Sequence, residues 1–376
     1  MKKEMKKALP VADLRPRVFV GLSGGVDSSV SAALLKGAGY DVTGVFIKVW
    51  HPEWFECNWR EDRRDAMRVC ARLDIPFLTL GLEKEYKREV VDYMIAEYRA
   101  GRTPNPDVMC NKHIKFGSFL RFARRKGARF IATGHYARKK EYRMTNNEYR
   151  YELMAGKDKN KDQSYFLWTL TQDVLRQTLF PVGHLTKPEV RKLAKKFSLP
   201  TAEKKDSQGL CFIGKIDIKD FLSRFIKPRA GKVLDTAGKV IGEHDGSFFL
   251  TIGERHGFRV HHERAQSRPL YIVAKDMPRN TITVSERNSG ATESFASRVV
   301  KLDSVNWIGE EPKASKIYSV RFRYREKLQR TYVERKGSRW SLRLLKPTLA
   351  AAAGQSAVVY DAGACMGGGI IASPLA

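Results

Sequence analysis

Cysteine is scarce in this chain of 376 residues, acid is short against base, and long apolar runs are absent. The five cysteines, at positions 57, 70, 110, 211 and 365, are an odd number spread thinly, which excludes a disulfide framework. None pairs as C-x-x-C, so the usual zinc and iron–sulfur spacings are missing, and His261-His262 has no third ligand nearby in sequence. No stretch approaches the ~18 apolar residues of a spanning helix. The basic Met1–Lys7 segment is not followed by the apolar core of a secretion signal. The chain reads as cytoplasmic, with reduced thiols and no membrane partner.

The shortage of acid has the opposite sense, because it points to a partner. Lysine and arginine number 69 against 41 aspartates and glutamates, a net charge of +28, well beyond what solubility needs. A polyanion such as RNA is the natural counterpart. Hydrophobic residues make up 42% of the chain, enough for cores, and the length suits two or three domains.

What the sequence does contain begins at Val18-Phe-Val-Gly-Leu22, an apolar run of parallel-strand character, followed by helical spacing over Ser28–Leu35. The glycine-rich turn between them, Ser23-Gly-Gly-Val-Asp-Ser28, is an anion site by construction, since backbone N–H groups converge there at a helix N-terminus. It lacks the lysine of G-x-x-x-x-G-K-[ST] and the spacing of G-x-G-x-x-G. It resembles instead the pyrophosphate loop of the ATP pyrophosphatase superfamily, enzymes that cleave ATP between the α and β phosphates. The resemblance implies that Ser23, Gly24, Gly25, Ser28 and Ser29 offer donors to phosphate and that Asp27 holds Mg²⁺.

Further strands are expected at Val42–Val49, Pro76–Leu82 and Phe130–Thr133, alternating with helices at Glu61–Leu73, Lys84–Tyr98 and Ile114–Lys126. Alternation of this kind means a doubly wound α/β parallel sheet, in which the loop 23–28 and Ala132-Thr-Gly-His-Tyr136 share one mouth. Thr186-Lys-Pro-Glu189 is a capping box opening a helix to about Phe197, and Asp217–Ile226 reads as a last helix. From Gly231 the pattern changes to short β runs with turns, the texture of small barrels. A second break near Asp276–Asn280 divides the chain into residues 1–216, 217–280 and 281–376: the α/β domain, a small β-rich domain and a C-terminal β-barrel whose basic charge suits RNA. In the last, Arg321-Phe-Arg-Tyr-Arg325 would place three arginines on one strand face.

Two polar segments surround single cysteines. Thr103-Pro-Asn-Pro-Asp-Val-Met-Cys-Asn-Lys-His113 reads as a rigid loop with Asp107 three residues before Cys110 and with Lys112 and Lys115 close enough to lower a thiol pKa. Lys204-Lys-Asp-Ser-Gln-Gly-Leu-Cys-Phe-Ile-Gly214 carries Cys211. Cys57, Cys70 and Cys365 read as small buried hydrophobes.

With these segments the chain resembles the bacterial-type tRNA-specific 2-thiouridylases. The likeness rests on the ordered set Ser23–Ser28, Gly101–Asp107 with Cys110-Asn-Lys112, Ala132–His135, Lys161-Asp-Gln-Ser-Tyr-Phe166, Cys211-Phe-Ile-Gly214, Gly242-Glu-His244 and Gly354-Gln-Ser-Ala-Val358. It implies ATP at Gly21, Leu22, Ser23, Gly24, Gly25, Val26, Asp27, Ser28 and Gly134, with the backbone near Ile47. It implies the target base at Asn105, Pro106 and Asp107, and tRNA at Lys161, Asp162, Gln163, Arg323 and Tyr324, with His135 and Gln355 as further contacts. Cys110 would be the nucleophile, Cys211 the persulfide carrier fed by a cysteine desulfurase or a relay protein, and Asp107 the general acid or base. A metabolite-directed ATP pyrophosphatase shares the loop but gives no reason for the paired cysteines or the basic β-rich half. A non-catalytic RNA-binding protein gives no reason for an intact Asp27, Asp107, Cys110 and Cys211. The segments 1–16 and Glu53–Arg60 match no family pattern.

Overall fold

The computed structural model describes residues 15–54, 58–145, 148–205, 217–261, 269–286 and 295–372. Its first layer is a sheet of β1 (Arg17–Gly21), β2 (Asp41–Lys48), β3 (Phe77–Gly81), β4 (Phe130–Ala132) and β7 (Thr178–Leu179), in the order β3-β2-β1-β4-β7. Every pairing is parallel. Val18, Phe19 and Val20 of β1 are all buried, so the central strand has to be apolar on both faces. Helices α1 (Val26–Gly37) and α2 (Trp59–Leu73) cover the sheet, and α1 turns Ser28, Ser29, Ser31, Ala32 and Ala33 inward. Small side chains let that helix lie close to the strands. Strand order reverses at β1, between β2 and β4, which places the β1–α1 loop at the switch point.

The chain then leaves this layer. Strands β5 (Ala137–Arg143) and β6 (Tyr149–Ala155) form a hairpin, and β6 pairs with β18 (Ala364–Ile371) through Met154–Ala364 and Leu153–Cys365. β18 belongs to a closed antiparallel barrel with β13 (Ser297–Trp307), β14 (Ile317–Arg321), β15 (Gln329–Lys336), β16 (Arg339–Thr348) and β17 (Ser356–Asp361). Between lies a mixed sheet of β8 (Gly231–Leu234), β9 (Val240–His244), β10 (Phe258–Val260), β11 (Leu270–Asp276) and β12 (Thr281–Glu286). The expected class, a doubly wound α/β domain followed by two small β-rich modules, is the architecture observed. Among the described residues no helix is long and apolar enough to cross a membrane.

Three local expectations are corrected. Thr281–Glu286 pairs with β11 and β8, so it belongs to the middle sheet and the change of module falls after it, not near Asp276–Asn280. Arg321–Arg325 is not one strand: β14 ends at Arg321 and Arg325 has φ 64°. Arg323 accordingly parts from the other two: it meets the Ile252 carbonyl, while Arg321 and Arg325 reach Asp162 (3.6 Å) and the Asn160 carbonyl (3.1 Å). Finally, the segment read as a rigid loop around Cys110 is helical from Pro106. Asn105 caps it, its Oδ1 accepting from the Val108 amide at 3.3 Å, and Pro106 takes the first turn, where a missing N–H costs nothing. The helix continues over 106–125 with a π-helical stretch at Cys110–Ser118.

Candidate nucleotide and thiol site

A cavity of about 470 Å³ opens at the switch point. Gly21, Leu22, Ser23, Gly25, Val26, Asp27 and Ser28 line one end, joined by Ile47 and Gly134. Gly25 caps α1 without a side-chain bond, leaving the first amides of that helix without an intramolecular side-chain acceptor. Gly24 stands behind the cavity wall at φ 74°, and a Cβ there would lie 2.4 Å from the Asp62 carbonyl. At Gly134 a Cβ would lie 2.7 Å from the Ser28 amide, so the β4 crossover can approach α1 only as glycine. Ser23 and Ser28 hold the turn: the Ser23 amide donates to Ser28 Oγ at 3.2 Å, and that hydroxyl donates to the Gly25 carbonyl at 3.2 Å. Ser29, expected to face phosphate, is buried and donates to the Gly25 carbonyl at 2.7 Å.

Asp27 does not project alone. Its Oδ1 accepts from the Tyr136 hydroxyl at 2.8 Å, and Lys187 Nζ lies 2.7 and 2.9 Å from its two oxygens. Beyond the loop the wall becomes apolar and aromatic, with Phe46, Val49, Trp50 and Trp59. His51 stacks on Trp59 with centroids 6.2 Å apart, and Lys48 Nζ sits 4.9 Å from the Trp59 ring. Such a surface suits a nucleobase.

The opposite end belongs to the helix 106–125. Cys110 is 4% exposed, set among apolar neighbours, yet it lines the cavity together with Ile114, Lys115 and Phe119. Lys112, expected beside the thiol, lines a separate cavity with Arg88, Glu89 and His113. Asp107 is half-buried one turn before Cys110 and does not line the cavity. Burial raises its pKa above the ordinary carboxylate value, and Lys115 pulls the other way. His135 closes this end between Phe116 and Phe180, with Nδ1 2.8 Å from Thr133 Oγ1. Burial, with Lys115 adding to it, holds its pKa well below the usual histidine value, so the ring is neutral at physiological pH.

Lys161, Gln163 and Tyr324 reach the cavity, Tyr324 leaning on Phe166 at 4.7 Å. Asp162 and Gln355 do other work. Asp162 is buried and accepts from the Gly156 and Ser164 amides at 3.0 and 3.1 Å. Gln355 of the barrel donates to the Thr103 and Pro104 carbonyls at 2.9 and 3.2 Å, pinning the chain just before the Cys110 helix. Arg323 meets the middle module, and Asn105 and Pro106 serve the helix start. Cys70 and Cys365 are buried, as expected of packing residues, with burial lifting both thiols to about 12. Cys57 and Cys211 lie outside the described residues. The chain leading toward Cys211 does touch the site: Lys205 lines the cavity, and Lys204 binds Asp62 and Asp65 of α2 at 2.7 and 2.6 Å. Trp59, Asp62 and Lys187 were missed from sequence. Trp59 lies in a segment without a family pattern, and Lys187 is visible there only as the first residue of a capped helix.

Fold and cavity together define a nucleotide-binding α/β enzyme joined to two β modules. Comparison with known proteins agrees in layout: residues 16–215 match the tRNA methyl transferase HUP domain, 219–286 the tRNA methyl transferase PRC-barrel domain and 297–371 the aminomethyltransferase beta-barrel domain. The chain is similar to tRNA-specific 2-thiouridylase MnmA of Streptococcus thermophilus, 42% identical over 361 residues and 95% of each chain. It is equally similar to the protein of that name from Streptococcus sanguinis, at 42% over 359 residues, 94% of this chain and 95% of the relative. Among solved structures, the U34-tRNA thiolase NcsA from Methanococcus maripaludis aligns over 58% of this chain and 70% of its own, at 18% identity and a TM-score of 0.34, too distant to bear on the site. The chain belongs to the tRNA-specific 2-thiouridylase family.

Proposed function

We propose that this enzyme carries out ATP-dependent 2-thiolation of the anticodon wobble uridine of tRNA. The reading rests on one observation: the phosphate loop and Cys110 line the same cavity. ATP occupies the loop end, with Gly21–Ser28 and Gly134 around its phosphates and the backbone at Ile47 near its base. The uridine O2 attacks the α-phosphorus and pyrophosphate leaves, turning a poor leaving group into AMP. Cys211 brings a persulfide from a cysteine desulfurase or relay protein. Cys110 attacks Cys211 Sγ, the persulfide S–S bond breaks, and the released sulfur adds at C2 as AMP departs. A Cys110–Cys211 disulfide remains, and a two-electron thiol reductant reopens it. Asp107 stands outside the cavity one turn before Cys110, so its raised pKa suits it to take up the Cys110 thiol proton and not to act on the base directly. Five residues separate Lys205 at the cavity edge from Cys211, six Cα steps with a reach of up to about 20 Å.

The anticodon arm is held by the basic surface, with Lys161, Gln163 and Tyr324 at the cavity mouth and Asp162, Arg323 and Gln355 bracing the elements around it. His135 contributes a neutral ring. Mg²⁺ is the expected companion of ATP, but Asp27 does not offer it a vacant carboxylate, because Lys187 already occupies both oxygens. Incubation of unmodified tRNA with the protein, ATP and a persulfide donor, followed by nucleoside mass spectrometry, tests the reading. The expected result is 2-thiouridine with one AMP per base; no sulfur in the nucleosides, with AMP and pyrophosphate formed only from a small metabolite, overturns it.

A further inference from the structure

The phosphate loop carries no lysine of its own, although binding a polyphosphate at Asp27 calls for positive charge. Lys115, Lys161 and Lys205 line the cavity, but the ammonium that meets Asp27 comes from 160 residues further along. Lys187 is the first residue of the helix Lys187–Lys196, and its backbone is fixed on both sides. Its amide donates to Asp158 Oδ2 at 2.9 Å, and the preceding Thr186 is locked by the capping box with Glu189. The side chain, 13% exposed, runs past the Tyr136 ring at 6.0 Å and ends on both oxygens of Asp27, whose own side chain is 32% exposed and lines the cavity. A buried ammonium thus sits one carboxylate away from the α1 N-terminus.

We propose that Lys187, which stands behind Asp27, is a phosphate-binding cation of this site, held on that carboxylate and shared with the β and γ phosphates of a nucleoside triphosphate when one binds. The inference rests on the nucleotide reading given above and deepens it. A phosphate arriving beside Asp27 would meet a like charge, and the same ammonium can satisfy both by a small rotation of its flexible stem. Asp27 then acts as a holder that keeps the cation desolvated and aimed. The lysine that other phosphate loops place inside their motif is supplied here by a distant helix whose capping box fixes its origin.

The test measures binding of ATP, pyrophosphate and adenosine in EDTA, by calorimetry, to the full-length protein and to Lys187→Met, Lys187→Arg and Asp27→Asn. Lys187→Met should weaken ATP and pyrophosphate by about 10- to 100-fold, the loss of one charge-assisted bond, and leave adenosine within about twofold. Lys187→Arg should recover most of that loss, and Asp27→Asn should tighten metal-free ATP by releasing the ammonium. Equal weakening of ATP and adenosine in Lys187→Met would show a merely structural lysine and overturn the proposal, as would unchanged ATP binding or weaker metal-free ATP in Asp27→Asn. If the unaltered protein binds neither ATP nor pyrophosphate, the nucleotide reading fails as well, a result distinct from the others.

Discussion

The two ends of the cavity solve opposite problems. At the loop end, backbone amides, a left-handed glycine and the Lys187–Asp27 pair assemble charge in a place that water can reach. At the thiol end, Cys110 is buried among apolar side chains, His135 is kept neutral and Asp107 resists ionisation. One end gathers charge for a polyanion, and the other surrounds a thiol and a neutral ring with apolar walls, with Lys115 lining the same end. A single cavity that spans both polarities is what an adenylation followed by a sulfur transfer requires.

Cutting the thiol end should separate the two most sharply. Cys110→Ser is expected to lower thiolation by about 10³-fold or more while ATP binding stays within twofold, read by nucleoside mass spectrometry against calorimetry. Gly134→Ala breaks the other end, because the new Cβ meets backbone atoms of Asp27 and Ser28. A stability loss of about 1–3 kcal/mol in urea melts, with weakened ATP binding, is the expected outcome.

Asp107→Asn sharpens the contrast through pH. Burial raises the folded pKa above the unfolded one, so the native state holds more protons and the stability tied to this group is full at low pH and lost as pH rises through the folded pKa. The asparagine variant should therefore match the parent in acid, exceed it in Tm at neutral pH, and lose activity. Smallest in effect, and serving as a control outside the cavity, is Lys275, whose ammonium is buried against the Gly101 and Leu250 carbonyls. Burial lowers its pKa to about 8 from 10.5. The folded state then binds fewer protons between those values, so the parent should gain stability as pH rises through that window, and Lys275→Met should lack the gain in pH-dependent melts.

The loop end was legible because its signals are local. An apolar run, a glycine turn and a helix of small residues fix β1, the turn and α1 without reference to the rest of the chain. The capping box at Thr186 was legible for the same reason. The thiol end was harder, since Pro104-Asn-Pro106 suggests a loop, whereas Asn105 as cap and Pro106 in the first turn are equally a helix start. Only packing decides between them. Arg321–Arg325 failed on the same ground: alternation suggested a strand face, but the chain turns at Phe322, which is fully buried, and sends Arg323 to the Ile252 carbonyl while Arg321 and Arg325 meet the 160–162 segment. Lys187 and Asp27 are 160 residues apart, and no pattern in the sequence joins them.

The hairpin β5–β6 starts at Ala137, two residues after His135, and its far strand is stitched into the barrel at β18. The barrel therefore cannot swivel freely with respect to the floor of the pocket, since a rotation must either unzip the Met154–Ala364 rung or drag Tyr136, and with it the hydroxyl resting on Asp27. The ribbon does not act alone, since Gln355 on the Thr103 and Pro104 carbonyls and Trp168 on Ser356 fasten the same barrel to the chain around the cavity, so the outer module and the pocket floor are held in one fixed orientation.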